Sequence, residues 1–303
     1  MNKKRLFALL MAAAMATTMT ACGGSKDQSA VGSAGDASTG SGALSGSITV
    51  ISREDGSGTR GAFVELTGVE EKNDAGEKID NTTVDAEIAN KTDVVLTSVA
   101  GNEKAIGYVS LGSLNDTVKA VKVDDVEATV DNVKSGAYKL SRPFNIATKG
   151  EPTGVAKDFI NFIMSKEGQA VVAENKYIPV DDAAAAFTSD QSSGQITVGG
   201  SSSVSPVMEK LIDAYKALNP NAQIDLQTSD STAGMTGTMD GTFAIGMASR
   251  ELKDEEKTEL TATSIALDGI AVVVNPANPI ESLTMDQIKS IYIGETTAWD
   301  ALA

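Results

Sequence analysis

The segment Ser52-Arg53-Glu54-Asp55-Gly56-Ser57-Gly58-Thr59-Arg60 gathers the groups that hold an oxyanion. Arg53 carries a full charge and a planar fork of N–H donors suited to phosphate or carboxylate oxygens. Ser57 and Thr59 add hydroxyls, and the glycines let the backbone approach a ligand closely. Ile48-Thr49-Val50-Ile51 before the segment has strand character, and Gly61-Ala62-Phe63-Val64-Glu65-Leu66 after it suits a helix. A strand-to-helix turn leaves backbone N–H groups free beside the positive end of the helix dipole, which is worth about 0.3–1 kcal/mol to an anion at an exposed site. The same residues also suit a plain polar turn with a helix cap, and alone they do not decide between the two.

Two further turns share this chemistry. The strand Gln195-Ile196-Thr197-Val198 leads through Gly199-Gly200-Ser201-Ser202-Ser203-Val204-Ser205-Pro206 into a helix. Ser205 is the expected N-cap and Pro206 suits the first turn; Val207, Met208, Leu211, Ile212 and Tyr215 recur at helical spacing until Asn219-Pro220. The strand Gln223-Ile224-Asp225-Leu226-Gln227 then runs into Thr228-Ser229-Asp230-Ser231-Thr232-Ala233-Gly234-Met235. Three hydroxyl- and glycine-rich turns favour convergence on one small oxyanion. Alternating short strands and helices imply an α/β architecture whose ligands bind at strand carboxyl ends. Neither the turn at 56–58 nor that at 200–203 continues into the Gly-Lys-Ser/Thr of a nucleotide-binding P-loop.

Composition narrows the chemistry. The 303 residues, 41% of them hydrophobic, suffice for one large or two medium domains. With no histidine and a single cysteine, a Ser-His-Asp or Cys-His site, histidine-bound zinc, a thiolate cluster and a disulfide within the chain are all excluded. No metal site or cofactor is expected. A formal net charge of −16 argues against nucleic-acid binding, so attraction for an anion has to be local.

At the N-terminus, Lys3-Lys4-Arg5 precedes an apolar run over residues 6–16, the layout of a secretory signal and too short to span a bilayer well. Met19-Thr20-Ala21-Cys22 resembles the bacterial lipoprotein box, which implies a 1–22 signal peptide and a lipid anchor at Cys22. Residues 23–45 are mostly Gly, Ser, Ala, Asp and Thr and read as a flexible tether. A second stretch of that kind, 181–194, reads as an internal linker.

Over nearly everything from Gly46 onward the chain resembles the phosphate-binding lipoproteins of high-affinity phosphate ABC transporters, which have a two-lobed type II periplasmic-binding-protein fold. The resemblance rests on residues 52–60, 199–210 and 229–235, on Phe243-Ala244-Ile245-Gly246-Met247-Ala248-Ser249-Arg250-Glu251-Leu252, on Ala266-Leu267-Asp268-Gly269-Ile270-Ala271-Val272 and on Ala105-Ile106-Gly107-Tyr108-Val109. In that family the serine turn comes first, and the Arg-Asp-Gly-Ser-Gly-Thr segment follows a Trp-Asp stretch like Trp299-Asp300 here. The order here is that of a circular permutant, with 181–194 at the join of the usual termini. One lobe is then expected to comprise 46–142 plus 271–303, and the other 143–270.

Carried over residue by residue, the resemblance implies phosphate contacts from Arg53, Asp55, Ser57, Gly58 and Thr59, from Ser202 and Ser203, and from Ser231. Where a well-studied branch has an aspartate accepting the phosphate proton, Arg250 follows Ala248-Ser249 here. Either Asp55 and Asp268 share that role, or Arg250 turns away to Glu251 or another carboxylate; Asp268 also fits a polar turn at the crossover between lobes. The implied function is capture of inorganic phosphate between the lobes and its delivery to a membrane permease, by a lipid-anchored extracytoplasmic monomer that catalyses nothing. A surface anion sensor or adhesin on the same scaffold, another tetrahedral oxyanion, and a phosphatase using Ser57 or Ser202 are the rival readings. Phe159, Ile160, Ile163 and Met164 are expected in a core, Asp254-Glu255-Glu256 on a solvated helix surface, and Tyr108 and Trp299 in packing roles.

Overall fold

The structure is a computed structural model that describes residues 44–302. The expected signal peptide, Cys22 and the expected tether up to residue 43 lie outside the described residues. The chain opens with β1 (Thr49–Arg53), rich in β-branched residues, and turns into α1 (Gly58–Thr67). A small hairpin of β2 (Glu70–Lys72) and β3 (Lys78–Asp80) precedes β4 (Glu87–Ala89), α2 (Thr92–Ala100) and β5 (Ala105–Ser110). Short strands β6 (Lys119–Ala120) and β7 (Lys122–Val123) and helix α3 (Val130–Lys134) lead to β8 (Ser141–Thr148). Then come α4 (Gly154–Ile163), α5 (Lys166–Glu174), β9 (Ile178–Pro179), β10 (Gly194–Ser201), α6 (Ser205–Leu218), β11 (Ala222–Ser229), α7 (Ser231–Met239), β12 (Ile245–Ala248) and α8 (Asp254–Lys257). The fourteen-residue β13 (Thr261–Val274) follows, and β14 (Ser282–Leu283) and α9 (Met285–Tyr292) end the series.

Parallel pairing of β1 with β4 and β5 builds one sheet region, and parallel pairing of β10 with β11 and β12 builds another. Antiparallel β8 and β13 join them in the order β11-β10-β12-β8-β13-β5-β1-β4. Residues 261–269 of β13 pair with β8, and residues 270–274 pair with β5. One hydrophobic core, around Phe63, Tyr108, Ile270, Tyr292 and Trp299, lies on the β5 side of that change of partner; another, around Phe144, Phe159, Val198, Leu211 and Tyr215, lies on the β12 side. The fold is therefore a mixed α/β structure with two lobes, and the turns after β1, β10, β11 and β12 meet at the cleft between them. Trp299 N–H donates to Gly46 O at 3.1 Å and Ile48 N–H to Thr297 O at 2.8 Å, which fastens the two ends of the described chain together.

Local chemistry shifts some expected boundaries. α1 begins at Gly58 rather than Gly61, because the Ser57 hydroxyl caps it by accepting from Arg60 N–H at 3.3 Å. α6 begins at Ser205 with no side-chain cap; the Ser205 hydroxyl instead reaches Ser201 O at 3.2 Å and Thr228 Oγ1 at 2.8 Å. Phe159 and Ile163 are buried, with Ile160 and Met164 packed at the edge of the same core.

The stretch 181–194 is docked rather than loose. Phe187 packs on Phe162 and Tyr215, and the buried Asp158 carboxylate of α4 accepts from Ser189 Oγ at 2.7 Å and Asp190 N–H at 3.1 Å, while also taking Tyr215 OH at 2.8 Å. Composition alone hid this, because one aromatic and one distant acid do the anchoring. Asp158→Ala would strand several buried donors, and a loss of about 2–3 kcal/mol is expected. Urea unfolding gives the loss, and protease cleavage confined to 181–194 would accompany it; an unchanged midpoint would show that the strap holds without this carboxylate.

Candidate functional site

The hydroxyl-bearing turns expected from the sequence meet in one buried cluster. Each sits where a parallel strand ends: Thr59 after β1, Ser202 and Ser203 after β10, Ser231 after β11 and Ser249 after β12. Thr59 Oγ1 lies 2.8 Å from Ser203 Oγ and 3.4 Å from Ser249 Oγ, across the cleft. Ser201 Oγ donates to Ser249 Oγ at 3.0 Å, and Ser249 N–H donates to Ser231 Oγ at 3.0 Å. Thr92, the first residue of α2, adds a hydroxyl 3.3 Å from both Ser202 and Ser203. Thr59, Ser203 and Ser231 are all buried.

Glycine makes this approach possible at two points. Gly200 adopts φ +135°, and a side chain there would run into the Met247 carbonyl. A Cβ on Gly58 would collide with Ser231 Oγ and sit 2.8 Å from Ser249 Oγ and 3.1 Å from Arg250 Cγ, all on the facing lobe. The two lobes also share a backbone hydrogen bond, Thr232 N–H to Gly56 O at 3.1 Å.

Charged groups surround the hydroxyls in pairs. Arg53 is buried, and it spends Nε and Nη2 on the two oxygens of Glu54, at 2.8 and 2.7 Å, while Nη2 also donates to Ser202 Oγ at 3.1 Å. Behind it, Tyr108 OH accepts from Arg53 N–H at 3.2 Å and lies 2.9 Å from Ser52 Oγ, with its ring stacked on Phe63. Burial pushes the Tyr108 phenol up to about 12, so it stays protonated at neutral pH. Arg142, from β8, donates Nη2 to Thr59 Oγ1 at 3.0 Å and Nη1 to Asp268 Oδ2 at 2.5 Å, and both residues of that pair are buried. Burial works against each charge, lowering the pKa of Arg142 and raising that of Asp268, and each partner opposes the shift in the other.

Two expected site residues stand elsewhere. The Asp55 side chain is 95% exposed and bonds to Arg60 Nη1 at 2.7 Å. Arg60 reaches back from the first turn of α1 and pulls this carboxylate to the surface, so Asp55 takes no part in the cluster. Arg250 turns away from the hydroxyls: Nη1 and Nη2 bond the two oxygens of Glu256 at 2.7 and 2.8 Å. Glu256 is thus buried rather than on a solvated surface. Ser57 and Gly58 sit at the start of α1, where the first amides lack intrahelical acceptors. Sequence reading missed Thr92 and Arg142 and quoted Glu54 and Ser249 only as parts of motifs. An arginine at the head of the strand-like run Pro143-Phe144-Asn145-Ile146-Ala147 was the available signal for Arg142.

Burial alone would raise the Glu256 carboxyl, but hydrogen bonds from Arg250 and from Lys253 N–H outweigh it and hold Glu256 below the usual carboxylate range. Because the folded value is the lower one, the stability this contributes is present above about pH 4.5 and is lost as pH falls through the folded value. Glu256→Gln is therefore expected to lose stability at pH 7 and little at pH 3, as read from thermal melts at both. Equal losses at the two pH values would show that the charge is irrelevant.

A two-lobed solute-binding protein is the class that this fold and cleft define. A family model described as a PBP superfamily domain matches residues 25–167 and 185–303. Phosphate-binding protein PstS 2 of Streptococcus agalactiae serotype V is 52% identical over 272 residues, covering 89% of this chain and 92% of that one. The crystal structure of a phosphate-binding protein of a phosphate ABC transporter from Streptococcus pneumoniae TIGR4 superposes with a TM-score of 0.68 at 49% identity, covering 85% of this chain and 100% of that chain. The chain belongs to the PBP superfamily and, within it, to the family of phosphate-binding proteins PstS. PstS of Bacillus subtilis, by contrast, matches over only 137 residues at 34% identity, 45% of this chain and 42% of that one.

Proposed function

We propose that this protein is the extracytoplasmic binding component of a phosphate ABC transporter, which captures inorganic phosphate between its lobes and delivers it to the membrane permease. The observation that carries this reading is the buried ring of hydroxyls from four strand ends, in a chain that aligns along nearly its whole length with phosphate-binding relatives. Neutral O–H and N–H donors arranged around one point suit a small tetrahedral anion and supply no nucleophile with a base. Thr59, Ser202, Ser203, Ser231, the amides at the start of α1 and the Arg53 guanidinium are the proposed contacts. Asp268 acts from behind the cluster. Closure of the lobes over the anion would bring these donors together, and re-opening at the permease would release it.

Anchoring through a lipid on Cys22 is part of the proposal and rests on the sequence of the leader. So is circular permutation relative to the wider family. Its support is the hydrogen-bonded adjacency of Gly46 and Trp299 and the short match to the Bacillus subtilis relative; the match over 272 residues to the Streptococcus agalactiae relative means that this segment order is shared with that branch.

Calorimetric titration after removal of endogenous ligand by unfolding and refolding tests the reading. One-to-one phosphate binding is expected. A folded sample that binds no phosphate would overturn it.

A further inference from the structure

Among the arginines around the hydroxyl cluster, three have their forks occupied by carboxylates or by a neighbouring backbone. Arg53 presents the Nε–Nη2 edge to Glu54, Arg250 presents both terminal nitrogens to Glu256, and Arg60 divides its nitrogens among Asp55, Asp80 and the Arg53 carbonyl. Arg142 differs. Its Nη1 is held by Asp268, and Nε and Nη2 lie along the edge of the guanidinium that Asp268 leaves free. Nη2 reaches Thr59 Oγ1, and the fully buried Nε–H has no partner among the described residues. A guanidinium edge binds two oxygens of one oxyanion in parallel, so a buried edge with one donor unused and the other on a hydroxyl is a fork ready for such a group.

We infer that Arg142, alongside the Arg53 contact, supplies the guanidinium edge that takes two oxygens of the bound oxyanion, and that Asp268 is the positioning residue that aims it. Asp268 grips Nη1, the nitrogen that the ligand does not need, and is itself approached by Gly112 N–H at 3.4 Å. The Phe144 ring, 4.9 Å from Arg142 Cζ, limits rotation of the guanidinium plane. The proposal rests on the phosphate-binding reading and names a contact that the clamp motif does not contain.

Calorimetric titration with inorganic phosphate, on the full chain and its variants, separates the two claims. A parent that binds no phosphate defeats the functional reading itself. If the parent binds, Arg142→Lys, which keeps a charge beside Asp268 but loses the planar fork, is expected to weaken binding about 10- to 100-fold. Parent-like affinity in that variant would overturn the role of Arg142. Asp268→Asn is expected to weaken binding about 10-fold and to shrink the rise in melting temperature caused by phosphate, with partial rescue by Asp268→Glu. A purely structural role would lower the melting temperature equally with and without phosphate, and that outcome would overturn the role of Asp268. Should Arg142→Lys fail to fold, the Asp268→Asn titration decides.

Discussion

Gly58→Ala is expected to give a protein as stable as its parent that binds phosphate about 100-fold more weakly. Gly58 is the first residue of α1, and its φ is not in the left-handed region, so alanine costs nothing in the backbone and improves helix propensity. The penalty arises across the cleft, where a methyl would collide with Ser231 Oγ and press on Ser249 Oγ and Arg250 Cγ. These neighbours belong to two separate turns of the facing lobe and are held by the Ser249 N–H to Ser231 Oγ bond and the Arg250–Glu256 pair, so little can give way. A lobe that swings open escapes the clash at no cost to its own core. A penalty of about 3 kcal/mol on the closed arrangement corresponds to the expected loss in affinity. Titration and a thermal melt on the same sample check both halves, with small-angle scattering to detect a wider molecule in phosphate. Parent-like affinity would mean that the lobes do not meet at this contact when the anion is bound.

Arg142→Leu carries the second large effect, this time on folding. It leaves the Asp268 carboxylate, fully buried, without its cation, and breaking such a pair typically costs about 3–5 kcal/mol. Arg142→Leu combined with Asp268→Asn removes the stranded charge and is expected to recover much of that loss. The pH dependence follows from burial, which already raises the Asp268 pKa above its usual 3.8 and does so further once Arg142 is gone. With the folded value above the unfolded one, the folded state holds the proton more tightly, and stability falls as pH rises from the unfolded toward the folded value. The single variant should therefore look better in urea at pH 4 than at pH 8. Deficits that are equal at both pH values, or a double variant no better than the single one, would show that the unpaired charge is not what destabilises it.

What could be read in the sequence was whatever lies contiguously along the chain. The three turns were legible because each packs its hydroxyls and glycines into a few consecutive residues, and the strand-helix alternation that carries them gave the α/β class. Arg142 and Thr92 were not, because they come to the cluster from the crossing strand β8 and the start of α2, and only the sheet order brings those elements beside Thr59. Asp55 lay within the best motif and was still misplaced. Which way a turn side chain points depends on a competitor one helical turn away, here Arg60. Glu256 shows the converse: three successive acids look like surface, yet a single short helix buries one of them against Arg250 and leaves Asp254 and Glu255 exposed. Composition averages also hid the docking of 181–194, where Phe187 and Asp158 outweigh a run of neighbours with no large apolar side chain.

The strand β13 runs through both lobes, pairing with β8 along its first nine residues and with β5 along its last five. It is also made after every other strand of the ten-stranded sheet, starting at residue 261. Neither core can close before it emerges, so a growing chain holds two unfinished lobes until that point and then completes both with one segment. Domains commonly fold in order as they leave the ribosome. Here the order is withheld, and either lobe produced on its own would lack a central strand or carry an unpaired one.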